Sequence, residues 1–193
     1  MPSPLMVWID TETFGLERDD PMLELGMRVT DTDLNLIDQK SALLWSSKHQ
    51  VSLDLLKHSG RDSDKWVLKQ HTHSGLFEEA RVSGLYYLAA QEAFVDWIES
   101  VFRAFDGGKL SDQPLCGSTV HFDRKVLGRW MPEFMEMFHY RNIDISTLKE
   151  LCKRRSPDLF KKQDLRPKKA HRVLPDLDDT IEEAQWYFDN FLF

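Results

Sequence analysis

The run Leu5-Met6-Val7-Trp8-Ile9-Asp10-Thr11-Glu12 decides the architecture. Five successive apolar, strand-forming residues follow the Pro-Ser-Pro start, so the run reads as a buried strand that ends in two carboxylates. Leu23 to Thr30 and Leu34 to Trp45 read as two more strands, with Asp31-Thr32-Asp33 as the turn of an antiparallel hairpin. Val51 to His58 reads as a short helix. Residues 59–74, dense in Gly, Asp, Ser and His, read as loop or irregular helix. From Tyr87 to Phe105 the period changes: Phe94, Ile98, Val101, Phe102 and Phe105 recur at three- and four-residue spacing, an amphipathic helix stopped by Gly107-Gly108. Pro114 to Gly117 reads as a strand start, followed by a helix from about Phe122 to Trp130 and another opened by Pro132. Arg141 to Ile145 is a further strand candidate, and Ser146 is the expected cap of the helix after it. A long loop is expected over Arg155 to Lys169, then a last helix from Asp176 to Phe191 with Leu177, Ile181, Ala184 and Phe188 on one face. The order is α/β with a mixed sheet whose first three strands are antiparallel. With no repeat and no linker, residues 1–193 are expected to form one domain.

Composition narrows the classes of function. The chain is 41% apolar with six Trp and twelve Phe, enough bulk for a packed core. No apolar run reaches the roughly 20 residues of a membrane span. Cys116 and Cys152 are too few for a disulfide framework and lack zinc spacing. No signal or transit peptide is evident, so a reducing, cytoplasmic location is expected, with a mitochondrial one as the alternative. The net charge of −7 argues against a partner bound along a phosphate track. Yet the charge is blocked: residues 1–123 carry 11 basic and 20 acidic side chains, 124–172 carry 14 and 6, and 173–193 carry none and 6.

Asp10 and Glu12 stand two residues apart on a strand, hence on one side, with Thr11 turned away. Either they are an ordinary polar strand end, or they share a cation, because like charges so close repel. Oxygen ligands suit Mg²⁺ or Mn²⁺. Asp123 and Asp176 each open a helix, as caps or as further ligands. Four carboxylates at the ends of separate elements can hold two ions and support phosphoryl transfer. His171, five residues before Asp176, is either an idle loop histidine or the base.

The motifs decide between these. Trp8-Ile9-Asp10-x-Glu12-x-x-Gly15-Leu16, Trp66 with His71-Thr72-x-Ser74-Gly75-Leu76, and Leu115-Cys116-Gly117-Ser118 leading to Asp123-Arg124 occur in that order. Phe138-His139-Tyr140-Arg141-x-x-Asp144-x-Ser146-Thr147-Leu148-Lys149-Glu150-Leu151 and Ala170-His171-Arg172-x-Leu174-x-Asp176 complete them. Together they resemble the oligoribonuclease family, DEDD exonucleases of the histidine subgroup, from about residue 6 to 190. The resemblance implies a ribonuclease H-like fold and 3′-to-5′ exoribonuclease activity on very short oligoribonucleotides or dinucleotides, giving nucleoside 5′-monophosphates. It also implies two divalent cations, Mg²⁺ or Mn²⁺, and a homodimer. Carried over by position, Asp10, Glu12, Asp123 and Asp176 are the metal carboxylates and His171 the general base. Leu16 matches a wedge between two bases. Trp66 and His71 match residues lining the 3′ nucleotide and its phosphate, and Thr119, Arg141, Ser146 and Thr147 match a group around the 5′ phosphate. Tyr140 matches a functional tyrosine that reaches, with Arg141, toward the other subunit's site.

The chain also departs from the family pattern. Phe14, His73 and Pro175 replace other residue types beside the implied site, which leaves substrate preference open. Two alternatives follow: a broader exonuclease trimming longer single-stranded RNA or DNA, and a non-catalytic module that binds small nucleotides.

Overall fold

The computed structural model describes residues 4–16, 20–163 and 170–192. Strand β1 (Leu5–Thr13) lies at the centre of a five-stranded sheet of order β3-β2-β1-β4-β5. It pairs antiparallel with β2 (Met22–Asp31), which pairs antiparallel with β3 (Leu36–Leu43). On its other side it runs parallel to β4 (Leu115–Gly117), and β4 to β5 (Asn142–Asp144). The mixed sheet with an antiparallel first half is as the sequence predicts. A central strand is covered on both faces, which is why residues 5–9 are apolar without alternation.

Nine α-helices flank the sheet among the described residues: α1 (Ser47–His58), α2 (Asp62–His73), α3 (Leu76–Ser83), α4 (Tyr87–Ala104), α5 (Val120–Trp130), α6 (Pro132–Glu136), α7 (Ile145–Arg155), α8 (Pro157–Phe160) and α9 (Val173–Tyr187). Leu5, Val7 and Ile9 pack on one face against Phe94, Ile98, Leu127 and Phe134 from α4, α5 and α6. Met6 and Trp8 pack on the other against Ile145, Cys152, Leu177, Ala184 and Tyr187 from α7 and α9. Trp8 satisfies its buried indole N–H on Thr30 Oγ1 at 3.0 Å. A third cluster, with Phe14, Leu53, Val67, Leu76 and Phe77, holds α1, α2 and α3 beside the far end of β1. Fully burying each large side chain of this kind contributes about 1.5–3 kcal/mol.

Several boundaries differ from expectation for identifiable reasons. Residues 59–74 are mostly helix: α2 buries Asp64, Val67 and His71, a three- and four-residue stripe disguised because two of its members are polar. The cap of α7 is Asp144, whose carboxylate accepts from Ser146 N–H, so Ser146 lies inside the helix. Helix α9 starts at Val173, three residues before Asp176, and Pro175 is accommodated because first-turn N–H groups have no helical partner. Phe105 falls just past the end of α4 and is exposed. The expected loop at 155–169 contains α8, and its residues 164–169 lie outside those described.

One contact seats α9 on the sheet. Gly26 of β2 is the register partner of Asp10, and a Cβ added there would lie 2.4 Å from Val173 Cγ2 and 2.5 Å from Val173 Cβ. Gly26→Ala is therefore expected to push back the start of α9 and destabilise by about 1–3 kcal/mol. Thermal unfolding checks this, with a drop in Tm of about 2–4 °C per kcal/mol for a chain of this size.

Candidate active site

The end of β1 presents Asp10 and Glu12, each half-buried, while Thr11 between them is buried on the other face. That alternation matches the sequence reading, but Thr11 is no bystander. Its hydroxyl donates to Asp123 Oδ1 at 2.7 Å. Asp123 sits in the first turn of α5 and is 4% exposed, so Thr11 fixes a buried carboxylate that approaches the strand end from the α5 side. From the α9 side come His171 and Asp176. A ligand atom from each of Glu12, His171 and Asp176 lies within 4.8 Å of the other two. Asp176 Oδ1 also accepts from Ala170 N–H at 3.1 Å, closing the segment that carries His171. His171 has φ +50, a left-handed conformation that costs a non-glycine residue about 1–2 kcal/mol.

The electrostatics of this cluster are adverse without a cation. Burial, then the charges of Asp123, Glu12, Asp176 and Glu24, hold the Asp10 carboxyl well above the usual carboxylate range. Burial and the charges of Asp176, Glu24 and Asp123 push Glu12 up to about 8. Burial pushes Asp123 up to about 7, against the Thr11 hydrogen bond that lowers it. Carboxylates gathered this way stay charged at neutral pH only if a positive charge joins them.

The other residues marked in the sequence fall into two groups. Trp66 of α2 is 53% exposed and meets His171 edge-on, with ring centroids 5.2 Å apart. His71, on the same helix, is buried with Nε2–H donating to Thr13 O at 2.9 Å. The same nitrogen is 3.8 Å from Glu12 Oε2. Burial lowers His71 to about 4, so the ring is neutral at ordinary pH and the Glu12 contact is not an ion pair. Leu16 is 76% exposed just beyond β1, and its carbonyl accepts from Lys125 Nζ at 3.4 Å.

The second group gathers around Asp144. Its Oδ1 accepts from Thr119 N–H at 2.9 Å, Ser146 N–H at 3.0 Å and the Ser146 hydroxyl at 2.6 Å. Thr147 is exposed on the next position. Tyr140 is 74% exposed on the loop before β5, and the Arg141 guanidinium lies 5.4 Å from its ring centroid. Arg124, next to Asp123, donates to the carbonyls of His139 and Arg141 and to Asn142 Oδ1, tying that loop to α5.

Comparison with known proteins accounts for this combination. The Exonuclease family profile (RNase_T) matches residues 87–184. Oligoribonuclease of Chromobacterium violaceum is 35% identical over 190 residues, covering 97% of this chain and 95% of its own length. The chain belongs to the oligoribonuclease family. Oligoribonuclease of Photorhabdus laumondii is 33% identical over 97% of this chain and 95% of its own. The bovine protein named mitochondrial oligoribonuclease is 36% identical, covering 96% of this chain and 72% of its own.

Among solved structures, exonuclease I has a TM-score of 0.62 at 16% identity, covering 97% of this chain and 41% of its own. Exonuclease I of E. coli in complex with a dA16 oligonucleotide has a TM-score of 0.61 at 16% identity, covering 97% of this chain. Those matches show the fold, and this chain spans about two fifths of the exonuclease I chain.

The three departures from the family pattern take different places in the structure. Phe14 is a core residue, buried between Phe77 at 5.2 Å and His49 at 5.8 Å. Pro175 faces solvent in the first turn of α9. His73 is exposed in the last turn of α2. The sequence reading also missed supporting residues: Thr11, Asp144, Arg124 and the pair Glu24 and Arg172. Glu24 carried a signal, since a charged residue between Leu23 and Leu25 in a buried strand needs a partner.

Proposed function

We propose that this chain is a metal-dependent 3′-to-5′ exoribonuclease that degrades very short oligoribonucleotides to nucleoside 5′-monophosphates. In this reading Asp10, Glu12, Asp123 and Asp176 hold two divalent cations, Mg²⁺ or Mn²⁺, and His171 is the general base. The observation that supports it most is the cluster at the end of β1, where Asp10, Glu12 and Asp123 all resist ionisation. Glu12 and Asp176 there converge on His171 within 4.8 Å. The donor set is oxygen-rich, which fits hard divalent ions. Bound ions of this kind lower the pKa of water and steady the leaving oxygen of a displaced phosphate ester.

The chain's own residues supply the rest. His171 accepts the proton of the attacking water. Trp66 offers an exposed ring beside His171 on which a base can stack, and Leu16 offers a second apolar contact. Stacking of this kind is sequence tolerant and contributes about 1–3 kcal/mol per base. His71, buried and neutral, braces the backbone of Thr13 and so the strand end that carries Glu12, and in this reading it backs the 3′ nucleotide side. Thr119, Ser146, Thr147 and Arg141 form the 5′-phosphate side, with Ser146 and Thr119 already organised by Asp144. Tyr140 and Arg141 are both exposed, and in this reading they serve the second subunit of a homodimer. The reading assigns residues 1–193 to one exonuclease unit in the cytoplasm. No described helix is long and apolar enough to cross a membrane.

The test is an activity profile on 5′-labelled RNAs from two to about twenty nucleotides, with and without chelator, together with the salt dependence of binding. A dinucleotide meets one or two phosphate contacts, so log K should fall by only about 0.7–1.4 per decade of salt, and lengthening the RNA should not steepen it. Metal-dependent release of monophosphates, fastest on the shortest chains, is the expected result. A slope that grows with length would favour the broader exonuclease, and nucleotide binding without turnover would favour the silent module.

A further inference from the structure

We propose that Arg172, clasped between Glu24 and Glu79, is a positioning residue that holds His171 at the carboxylate cluster; this rests on the exonuclease reading above. Glu24 lies on β2 directly across from Glu12 and is 4% exposed. Two carboxylates opposite each other on adjacent strands repel, and Glu24 is one of the charges that act on Glu12 and Asp10. It is tolerated there because the Arg172 guanidinium reaches it with two hydrogen bonds, Nε to Oε2 at 3.0 Å and Nη2 to Oε1 at 3.2 Å. Val173 N–H adds a third at 3.3 Å. Nη2 of Arg172 also meets Glu79 Oε2 of α3 at 2.9 Å.

The clasp therefore ties three elements, β2, α3 and the start of α9, to the two residues that follow His171. His171 itself has φ +50. A strained non-glycine conformation persists only where neighbouring contacts over-determine it. On the preceding side Ala170 N–H is held by Asp176; on the following side the Glu24 bonds hold Arg172 and Val173. The fork geometry matters, because a guanidinium can serve two carboxylates at once while an ammonium is a point charge. Arg172 also lowers the cost of charging Glu12, which gives the clasp a separate electrostatic contribution.

Arg172→Lys separates the two contributions: it keeps the positive charge beside Glu12 and removes the fork. The expected result is a fall in kcat of about 10- to 10²-fold on a dinucleotide in Mn²⁺, with KM unchanged, as displacement of a reacting group produces. In a His171→Asn background the same substitution should cost nothing further, since both act through one group. Two-dimensional NMR adds a readout independent of turnover: the Val173 amide should exchange faster and the His171 ring signals should shift, with β1 amides unchanged. An equal loss with and without His171, or unchanged Val173 and His171 signals, would overturn the proposal. If Arg172→Lys does not fold, Glu79→Gln, at a half-exposed partner, should reproduce the same pattern at smaller size. Wild-type protein that releases no monophosphate would instead sink the exonuclease reading, and the NMR signals would still judge the clasp.

Discussion

Asp10→Asn is expected to cut release of 5′-monophosphate from a dinucleotide by at least about 10³-fold, since a single transition-state donor alone is worth about 10²–10³. It should do so while making the metal-free protein more stable near pH 8. The two effects share one cause. Burial and four acidic neighbours raise Asp10, and Glu12 and Asp123 are raised to about 8 and about 7. Folded-state values above the unfolded ones mean that the native protein holds more protons than the unfolded chain between about pH 4 and 8. Stability therefore falls as pH rises through that window. Asparagine keeps the shape of Asp10 and removes one of the repelling charges, so the metal-free variant should melt higher than wild type at pH 8. A divalent cation that binds only the folded state raises Tm by mass action, and that increment should shrink in the variant. Calorimetry at pH 6 and 8 with and without Mg²⁺, beside a turnover assay, measures both. Wild-type turnover in Mn²⁺ would remove Asp10 from the chemistry.

Much of this frame was legible in the residues, and what was hidden was hidden for physical reasons. The buried run Leu5–Ile9, the hairpin after it and the stripe of α4 follow from periodicity alone, and the structure contains all three. The shared side of Asp10 and Glu12 follows from strand alternation. Helix α2 escaped because a helix that buries Asp64 and His71 looks polar to any apolar count. The cap at Asp144 escaped because Ser146 is also a good capping residue, and only the hydrogen bonds decide between them. The clasp of Glu24 and Arg172 spans 148 positions, a separation at which no local pattern operates.

The charge pattern acquires a different meaning once these contacts are placed. The basic block at 124–172 offers attraction for phosphate only where its cations are unpaired, and it includes Arg141 and Lys149. Lys149 is instead paired with Glu183 at 3.0 Å, Arg154 with Glu150, and Lys161 with Asp158 at 3.1 Å. Arg172 is committed to Glu24 and Glu79. Arg141 is exposed beside Tyr140. Four of the fourteen basic residues of the block are thus committed to carboxylates, two of them, Arg154 and Lys161, to partners within it.

His171→Asn is expected to lower kcat by about 10²–10⁴, the usual contribution of a positioned general base, while leaving the Mg²⁺ affinity within about threefold. Asparagine is the informative replacement because His171 sits at φ +50 and asparagine tolerates the left-handed region better than most residues. The substitution therefore removes the imidazole without forcing the Ala170–Val173 segment to rebuild. A second role for the ring must be separated, because one of its nitrogens lies within 4.8 Å of ligand oxygens on Glu12 and Asp176. If the ring binds an ion instead of taking a proton, Asn should weaken metal binding severely, and raising Mn²⁺ should restore the rate. If it is the base, excess Mn²⁺ should leave the rate low, while added free imidazole, which can enter beside the exposed Trp66, should recover part of it. Titration calorimetry with Mg²⁺ and a rate series in Mn²⁺ and imidazole distinguish the two.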